Sequence, residues 1–250
     1  MVRRDELLRY LHELLNVDAF SDYCPNGLQV EGRAEIHKLV CGVTACQALV
    51  DTAVTAGADA LLVHHGYFWK SEEPTITGLK RRRVQTLLEA GINLLAYHLP
   101  LDAHPQLGNN AQLAQRLGLT ASGGFVGEPA LVFAGSVDEP VSGEAFAARI
   151  AERLQRVPLH IPGQATEIRR IAWCSGGAQG YIEQVATLGV DAYLTGEVSE
   201  QTVHIARETG LHFFAAGHHA TERYGAQALG AHLAERFALQ VEFVDIDNPA

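Results

Sequence analysis

Short apolar runs alternating with amphipathic stretches constrain this chain most, because that rhythm is best satisfied by a parallel sheet flanked by helices. Leu39 to Val43 reads as a strand, Gln47 to Ala56 as a helix closed by Gly57, and Ala60 to Val63 as a second strand running into His64-His65-Gly66. Arg81 to Glu89 is helical by pattern and stops at Gly91, after which Ile92 to Ala96 is a strand with His98 just beyond it. Residues 3–15 form an earlier helix with Leu7, Leu8, Leu11, Leu14 and Leu15 on one stripe, and another helix runs from Asn110 to Leu117. The expectation is an α/β fold with largely parallel pairing.

The middle of the chain reads differently. Leu131 to Val137 is a strand, Ser142 an N-cap, Phe146 to Leu154 a helix, and Val157 to Ile161 a further strand. Then the early pattern returns. Arg170 to Cys174, a Gly-rich turn, the helix Tyr181 to Leu188 and "GVDAYLTGE" echo Lys38 to Cys41, the helix at Gln47 and "GADALLVHH". In this register Asp59 matches Asp191, and His64-His65 matches Gly196-Glu197. "ARETGLHFFAAGHHATE" likewise echoes "LLEAGINLLAYHLPLD", so that His98 matches His218 and Asp102 matches Glu222. We read this as an internal duplication of roughly 80 residues. It divides the chain into two similar α/β domains, 1–125 and 126–250, with a C-terminal segment (a helix over Ala226 to Phe237) able to pack back on the first.

The duplication matters because ligands of parallel α/β sheets collect beyond the carboxyl ends of the strands. His64, His65, His98, Asp102, Glu197, His218 and Glu222 all fall at such ends. His218 and Glu222 are four residues apart and share one face if the helix begins there. Three histidines and two carboxylates drawn from these residues make a nitrogen and oxygen donor set without thiolate. Such a set suits zinc, manganese, iron, nickel or magnesium, and can hold two divalent ions around a shared water. His98 and His104 flank Asp102 and are candidates for orienting it or for acid/base work. Each residue also has a plainer reading: His64-His65 as a capping pair, Asp102 as a turn acid, His218 as a strand cap and Glu222 as a first-turn acid favoured by the helix dipole.

Other features narrow the function. A formal net charge of −10 leaves no broad basic surface for duplex DNA or anionic lipid. No apolar run approaches a membrane span and the N-terminus is not a signal peptide, so the cytoplasm is the expected compartment. The 4 cysteines lack CxxC spacing and are expected to be reduced and buried. Ser175-Gly-Gly-Ala-Gln-Gly180 could cradle a phosphate with backbone N–H groups, or be only a tight turn. Phe68 and Trp69, after the histidine pair, could line a base-stacking pocket, or simply pack.

The blocks "CPNGLQVEG", "HHGYFWK", "AYHLPLDAHPQLGNNAQLA", "GEVSEQ" and "GHHATERYG" resemble, in order and along essentially the whole chain, the Nif-three-like family. Its bacterial members are labelled GTP cyclohydrolase 1 type 2 homologs. The resemblance implies two interlocked α/β domains with a dinuclear metal site between them, assembled as a toroidal homohexamer. It implies His64, His65, Asp102, His218 and Glu222 as ligands of two divalent metal ions, leaving His98 and Glu197 as outer partners or acid/base groups. The implied activity is hydrolysis of a C–N ring bond in a nucleotide or related cyclic amide through a metal-bridging hydroxide. The alternative from a different class is a non-enzymatic metal-binding ring protein that stores, delivers or senses metal.

Overall fold

The computed structural model describes residues 1–127 and 129–250. The chain packs as two sheet-containing α/β units, Met1–Gly108 with Gly225–Asp247, and Asn109–Tyr224 with Asn248–Ala250. Among the described residues no helix is long and apolar enough to cross a membrane.

Unit 1 opens with β1 (Val2–Arg3), α1 (Arg4–Leu14), β2 (Gly27–Val30) and β3 (Glu35–Ile36). It continues through β4 (Lys38–Thr44), α2 (Gln47–Thr55), β5 (Ala60–His65), α3 (Gly78–Ala90), β6 (Asn93–Ala96) and α4 (Leu99–Ala103). Unit 2 contains α5 (Asn109–Leu117), β7 (Leu119–Val126), β8 (Val132–Val141), α6 (Gly143–Leu154), β9 (Leu159–Ile161) and β10 (Ile168–Trp173). It also holds α7 (Ile182–Ala186), β11 (Ala192–Thr195), α8 (Glu200–Thr209) and β12 (His212–Ala215). Helix α9 (His218–Phe237) starts in unit 2 and, from Gly225, belongs to unit 1, as does the last strand, β13 (Gln240–Phe243).

In unit 1 the sheet order is β13-β4-β5-β6-β2, parallel except for β2. Its strands send alternate residues to opposite faces. Leu39, Cys41 and Leu62 meet Leu7 and Leu11 of α1 and Leu229 and Leu233 of α9. Val40, Leu61 and Val63 meet Leu49 and Ala53 of α2 and Leu87 of α3. Near-continuous apolar strands are what a sheet covered on both faces requires.

Unit 2 repeats the scheme. Its sheet runs β7-β8-β10-β11-β12-β9, with β10, β11 and β12 parallel and β9 antiparallel on β12, as β2 is on β6. Trp173, Leu194 and Phe214 meet Phe146 and Ile150 of α6, while Ala172, Tyr193 and Phe213 meet Ile182 and Val185 of α7. The duplication extends to single hydrogen bonds. Asp59 Oδ2 accepts the N–H groups of His37 and Lys38 at 2.9 and 3.0 Å, and Asp191 Oδ2 those of Arg169 and Arg170 at 2.8 and 2.9 Å. Gly32 lies so close to the Gly91–Asn93 backbone that a Cβ would stand 2.4 Å from the Gly91 oxygen, and at Gly163 it would stand 2.4 Å from the His212 nitrogen in the matching segment.

Three details depart from the sequence pattern. The packing draws its boundary after Gly108, not after residue 125, because Leu113, Ala114 and Leu117 of α5 enter the core of unit 2. Antiparallel β7 and β8 extend the second sheet, so its pairing is mixed. Helix α9 begins at His218, well before Ala226, which places His218 and Glu222 one turn apart on a true helix.

Candidate metal centre

In unit 1, β5 ends at His64-His65 and β6 leads through Tyr97 to His98 and α4. His64 is fully buried. Its Nδ1 lies 3.0 Å from the carbonyl oxygen of Tyr97, which can only accept, so Nδ1 carries the proton and Nε2 keeps its lone pair. That Nε2 faces Asp102 Oδ1 at 3.5 Å. His65 Nδ1 meets Thr44 Oγ1 at 3.1 Å. His98 Nδ1 meets Asp22 Oδ1 at 2.9 Å. One donor atom from each of His64, His65 and His98 lies within 4.8 Å of the others. Two imidazole nitrogens on one tetrahedral ion stand about 3.4 Å apart, so the trio fits a divalent ion with little adjustment. In each ring Nδ1 is engaged by an oxygen; the Tyr97 carbonyl and the Asp22 carboxylate, which only accept, fix the tautomers of His64 and His98.

Asp22 went unnoticed in the sequence, where it precedes "YCPNG" and reads as a turn residue. Its side chain is buried and accepts from Tyr23 N at 2.7 Å and His98 Nδ1 on one oxygen. The other oxygen accepts from Asn26 Nδ2 at 2.9 Å and Leu99 N at 3.1 Å. Burial alone would raise its pKa; the hydrogen bonds from His98 and Asn26, and the charge on His98, override burial and hold it far below the usual carboxylate range. Cys24 also lies within reach of Asp22 and His98. Burial, then the Asp22 charge, push its thiol up to about 12, so it stays protonated and the group supports His98. Cys24, Cys41 and Cys174 are buried, as expected, whereas Cys46 is only half-buried.

In unit 2, His218 and Glu222 project from the first turns of α9. His218 Nε2 lies 3.1 Å from Glu222 Oε2, and its Nδ1 lies 2.7 Å from Glu197 Oε1. Gln179 Nε2 donates to the other Glu197 oxygen at 3.1 Å. Glu197 therefore orients His218 as Asp22 orients His98; the two histidines occupy matched positions of the duplication, whereas Glu197 matches His65 and not Asp22. His219 follows a different course: its backbone N–H donates to the Ala250 oxygen at 3.3 Å.

Three N–H groups of the Gly-rich turn are spent inside the fold. The N–H groups of Ser175, Gly176 and Ala178 already donate to Asn110 Oδ1, Thr221 Oγ1 and Thr195 Oγ1 at 2.9, 3.0 and 3.3 Å. Its glycines make room instead. A Cβ on Gly176 would come 2.0 Å from Glu222 Oε1 and 3.1 Å from His218 Nε2. His104 does not orient Asp102 through Nδ1, which accepts the N–H groups of Gln106 and Leu107 at 3.3 and 3.0 Å. Of the two readings left open for Phe68, packing holds: it lies edge-on to Tyr67 with Lys80 Nζ 5.6 Å from its ring, whereas Trp69 stands beside His65 and His98.

The electrostatics of His218 give a prediction. Burial disfavours its charged form, but hydrogen bonds and charge from Glu222, then Glu197, outweigh burial and raise its pKa to about 9. The metal-free ring is then protonated at neutral pH, and a metal must displace that proton. Metal uptake at neutral pH is expected to release it, and affinity to rise roughly tenfold per pH unit until the ring titrates. Calorimetry in buffers of different ionisation enthalpy counts the proton; no release would remove His218 from the ligands. For the metal-free fold the sign is opposite: stabilisation by charged His218 is complete below its ordinary 6.5 and is lost as pH rises through about 9.

Comparison with known proteins is consistent along the whole chain. Residues 2–249 match the model of the family Duf34/NIF3 (NGG1p interacting factor 3). Proteins named GTP cyclohydrolase 1 type 2 homolog from Pseudomonas aeruginosa and Escherichia coli K12 are 58% and 56% identical, over 94% and 100% of both chains respectively. The solved structure of protein ybgI, described as of unknown function, has a TM-score of 0.97 at 55% identity, covering 100% of both chains. TTHA1606 from Thermus thermophilus has a TM-score of 0.89 at 36% identity, again over 100% of both chains. Reduced HcgD from Methanocaldococcus jannaschii, at 24% identity and a TM-score of 0.85 over 98% of both chains, shares the fold. With residues 2–249 matched, the chain belongs to the Duf34/NIF3 family.

Proposed function

We propose that this protein is a dinuclear metal-dependent hydrolase. His64, His65, Asp102, His218 and Glu222 hold two divalent ions, and the substrate is a nucleotide or a related cyclic amide. The observation that carries this reading is the convergence of three buried or half-buried imidazoles, His64, His65 and His98, each held through Nδ1 by an oxygen. Nitrogen and carboxylate donors suit zinc, manganese, iron, nickel or magnesium. Bound divalent ions supply Lewis-acid polarisation and a water acidic enough to attack near neutral pH.

The chain's own groups do the rest. His98, anchored on Asp22 through Nδ1, keeps its Nε2 lone pair available beside His64 and His65, where it can help hold an ion or take a proton from an attacking water. Glu197 acts on His218 and keeps its Nε2 directed toward Glu222. The cyclohydrolase name carried by the curated relatives favours a nucleotide ring as the target. The family resemblance extends the proposal to a toroidal homohexamer in the cytoplasm, which sedimentation and fractionation test.

The deciding experiment is metal analysis of the native protein, then a nucleotide hydrolysis panel that includes GTP, with His65→Ala as control. Turnover is expected only with metal bound and is expected to vanish in His65→Ala. Full metal occupancy without turnover of any nucleotide would leave the non-enzymatic metal-binding ring as the reading; activity that survives metal loss would remove the scheme.

A further inference from the structure

The loop after His65 is built at a cost that solvent-exposed connections do not carry. Phe68 adopts φ 64, left-handed for a residue with a Cβ. Glu72 Oε2 accepts the N–H groups of Phe68 and Trp69 at 2.8 and 3.3 Å, and its other oxygen pairs with Lys80 Nζ at 3.2 Å. Lys80 is buried and also donates to the Glu73 carbonyl. Strain and a buried lysine persist where the surroundings over-determine them, and they cluster at working sites.

What this construction holds in place is Trp69. Its Nε1–H is spent on the Gly66 oxygen at 3.3 Å, so the indole offers a π surface. The ring stands edge-on to His98, 5.0 Å between centroids, and 5.9 Å from His65. Tyr23 completes the arrangement at 5.9 Å from Trp69, with 35° between the planes, and is itself edge-on to His98 at 5.1 Å. The Lys70 N–H to Tyr23 oxygen bond, 2.8 Å, ties the two segments together. Tyr23 is 51% exposed, so part of its ring faces solvent beside the imidazoles.

We infer that Tyr23 and Trp69 form a stacking platform that presents a planar nitrogen heterocycle, of the purine kind, to the imidazoles of the candidate metal centre. The inference rests on that centre being the working site and names the substrate class it selects. Two aromatic faces at the mouth recognise a ring by its π surface without reading its edge. Exposed Lys70 lies on the same loop to meet an anionic substituent.

The protein reports on itself, since of its 2 tryptophans the other, Trp173, is fully buried. Guanosine 5′-monophosphate added to the metal-loaded protein is expected to quench Trp69 saturably, and ribose 5-phosphate to leave it unchanged. By equilibrium dialysis, Trp69→Leu should bind the nucleotide roughly 10- to 100-fold more weakly with metal content intact, the loss of one base–aromatic stack, while Trp69→Phe restores most of the affinity. Equal binding of ribose 5-phosphate, no saturable binding of the nucleotide, or unchanged affinity in Trp69→Leu would each overturn the platform. Any of these with metal content and turnover preserved would defeat this inference alone; loss of turnover from fully loaded wild-type protein would defeat the hydrolase reading.

Discussion

Gly176→Ala is expected to strip metal from the His218 and Glu222 pair and to destabilise the fold. Gly176 sits at φ +66, where a side chain is strained, and its new Cβ would overlap the Glu222 carboxylate at 2.0 Å. The left-handed backbone costs about 1–2 kcal/mol with any Cβ, and forcing an atom into a packed site about 1–3 kcal/mol more. Glu222 is only 3% exposed and has little room to retreat. For a chain of this size that sum lowers the melting temperature by on the order of 10 °C. Gly177→Ala is the matched control, because its Cβ would meet Glu197 at an ordinary 3.5 Å. Thermal melts and metal content of the two variants decide the matter. Equal behaviour of the pair would show that clearance at Gly176 does not hold Glu222.

Asp22→Asn tests the histidine cluster of unit 1 without changing the size of the side chain. Both Asp22 oxygens accept, from Tyr23 and His98 on one side and from Asn26 and Leu99 on the other. An amide turns one of those acceptors into a donor. Turned toward His98, the amide nitrogen faces one fixed donor, the Tyr23 N–H, whereas turned the other way it faces two, Asn26 Nδ2 and the Leu99 N–H. The first placement makes His98 Nδ1 accept, which moves the ring proton to Nε2 and removes the lone pair there. Metal affinity is expected to fall roughly 10- to 100-fold, the usual effect of losing a ligand's outer partner. Asp22→Ala should also unfold more readily, at about 1–3 kcal/mol for each buried N–H left unpaired. Metal titration with nitrogen NMR of the imidazole checks both statements. An unaltered His98 tautomer with wild-type affinity in Asp22→Asn would refute the positioning role.

The strand and helix alternation was legible because both periods are local: apolar side chains recur every second residue across a sheet and every third or fourth along a helix. The duplication was legible for the same reason, and Asp59 and Asp191 stood in register before their identical hydrogen bonds were known. His64, His65, Asp102, His218 and Glu222 stood out because strand ends are where polar groups of a parallel sheet gather.

Tertiary structure decided what works at a distance. His98 and Asp22 are 76 positions apart, and nothing local in "SDYCPNG" marks an acid whose every lone pair faces a donor. The Gly-rich turn shows glycines but not the carboxylate they make room for, since Gly176 and Glu222 meet only when β10 and α9 are brought together. Phe68 and Trp69 are adjacent in the chain and look interchangeable as stacking residues. One left-handed φ at Phe68 sends the two rings to different neighbours. By itself the sequence determined the layers, the repeat and the strand ends that carry the candidate ligands, because short-range periodicity and covalent order dictate them. The partners of those ligands are set by long-range packing, because hydrogen-bond complementarity between remote segments exists only once the chain has folded.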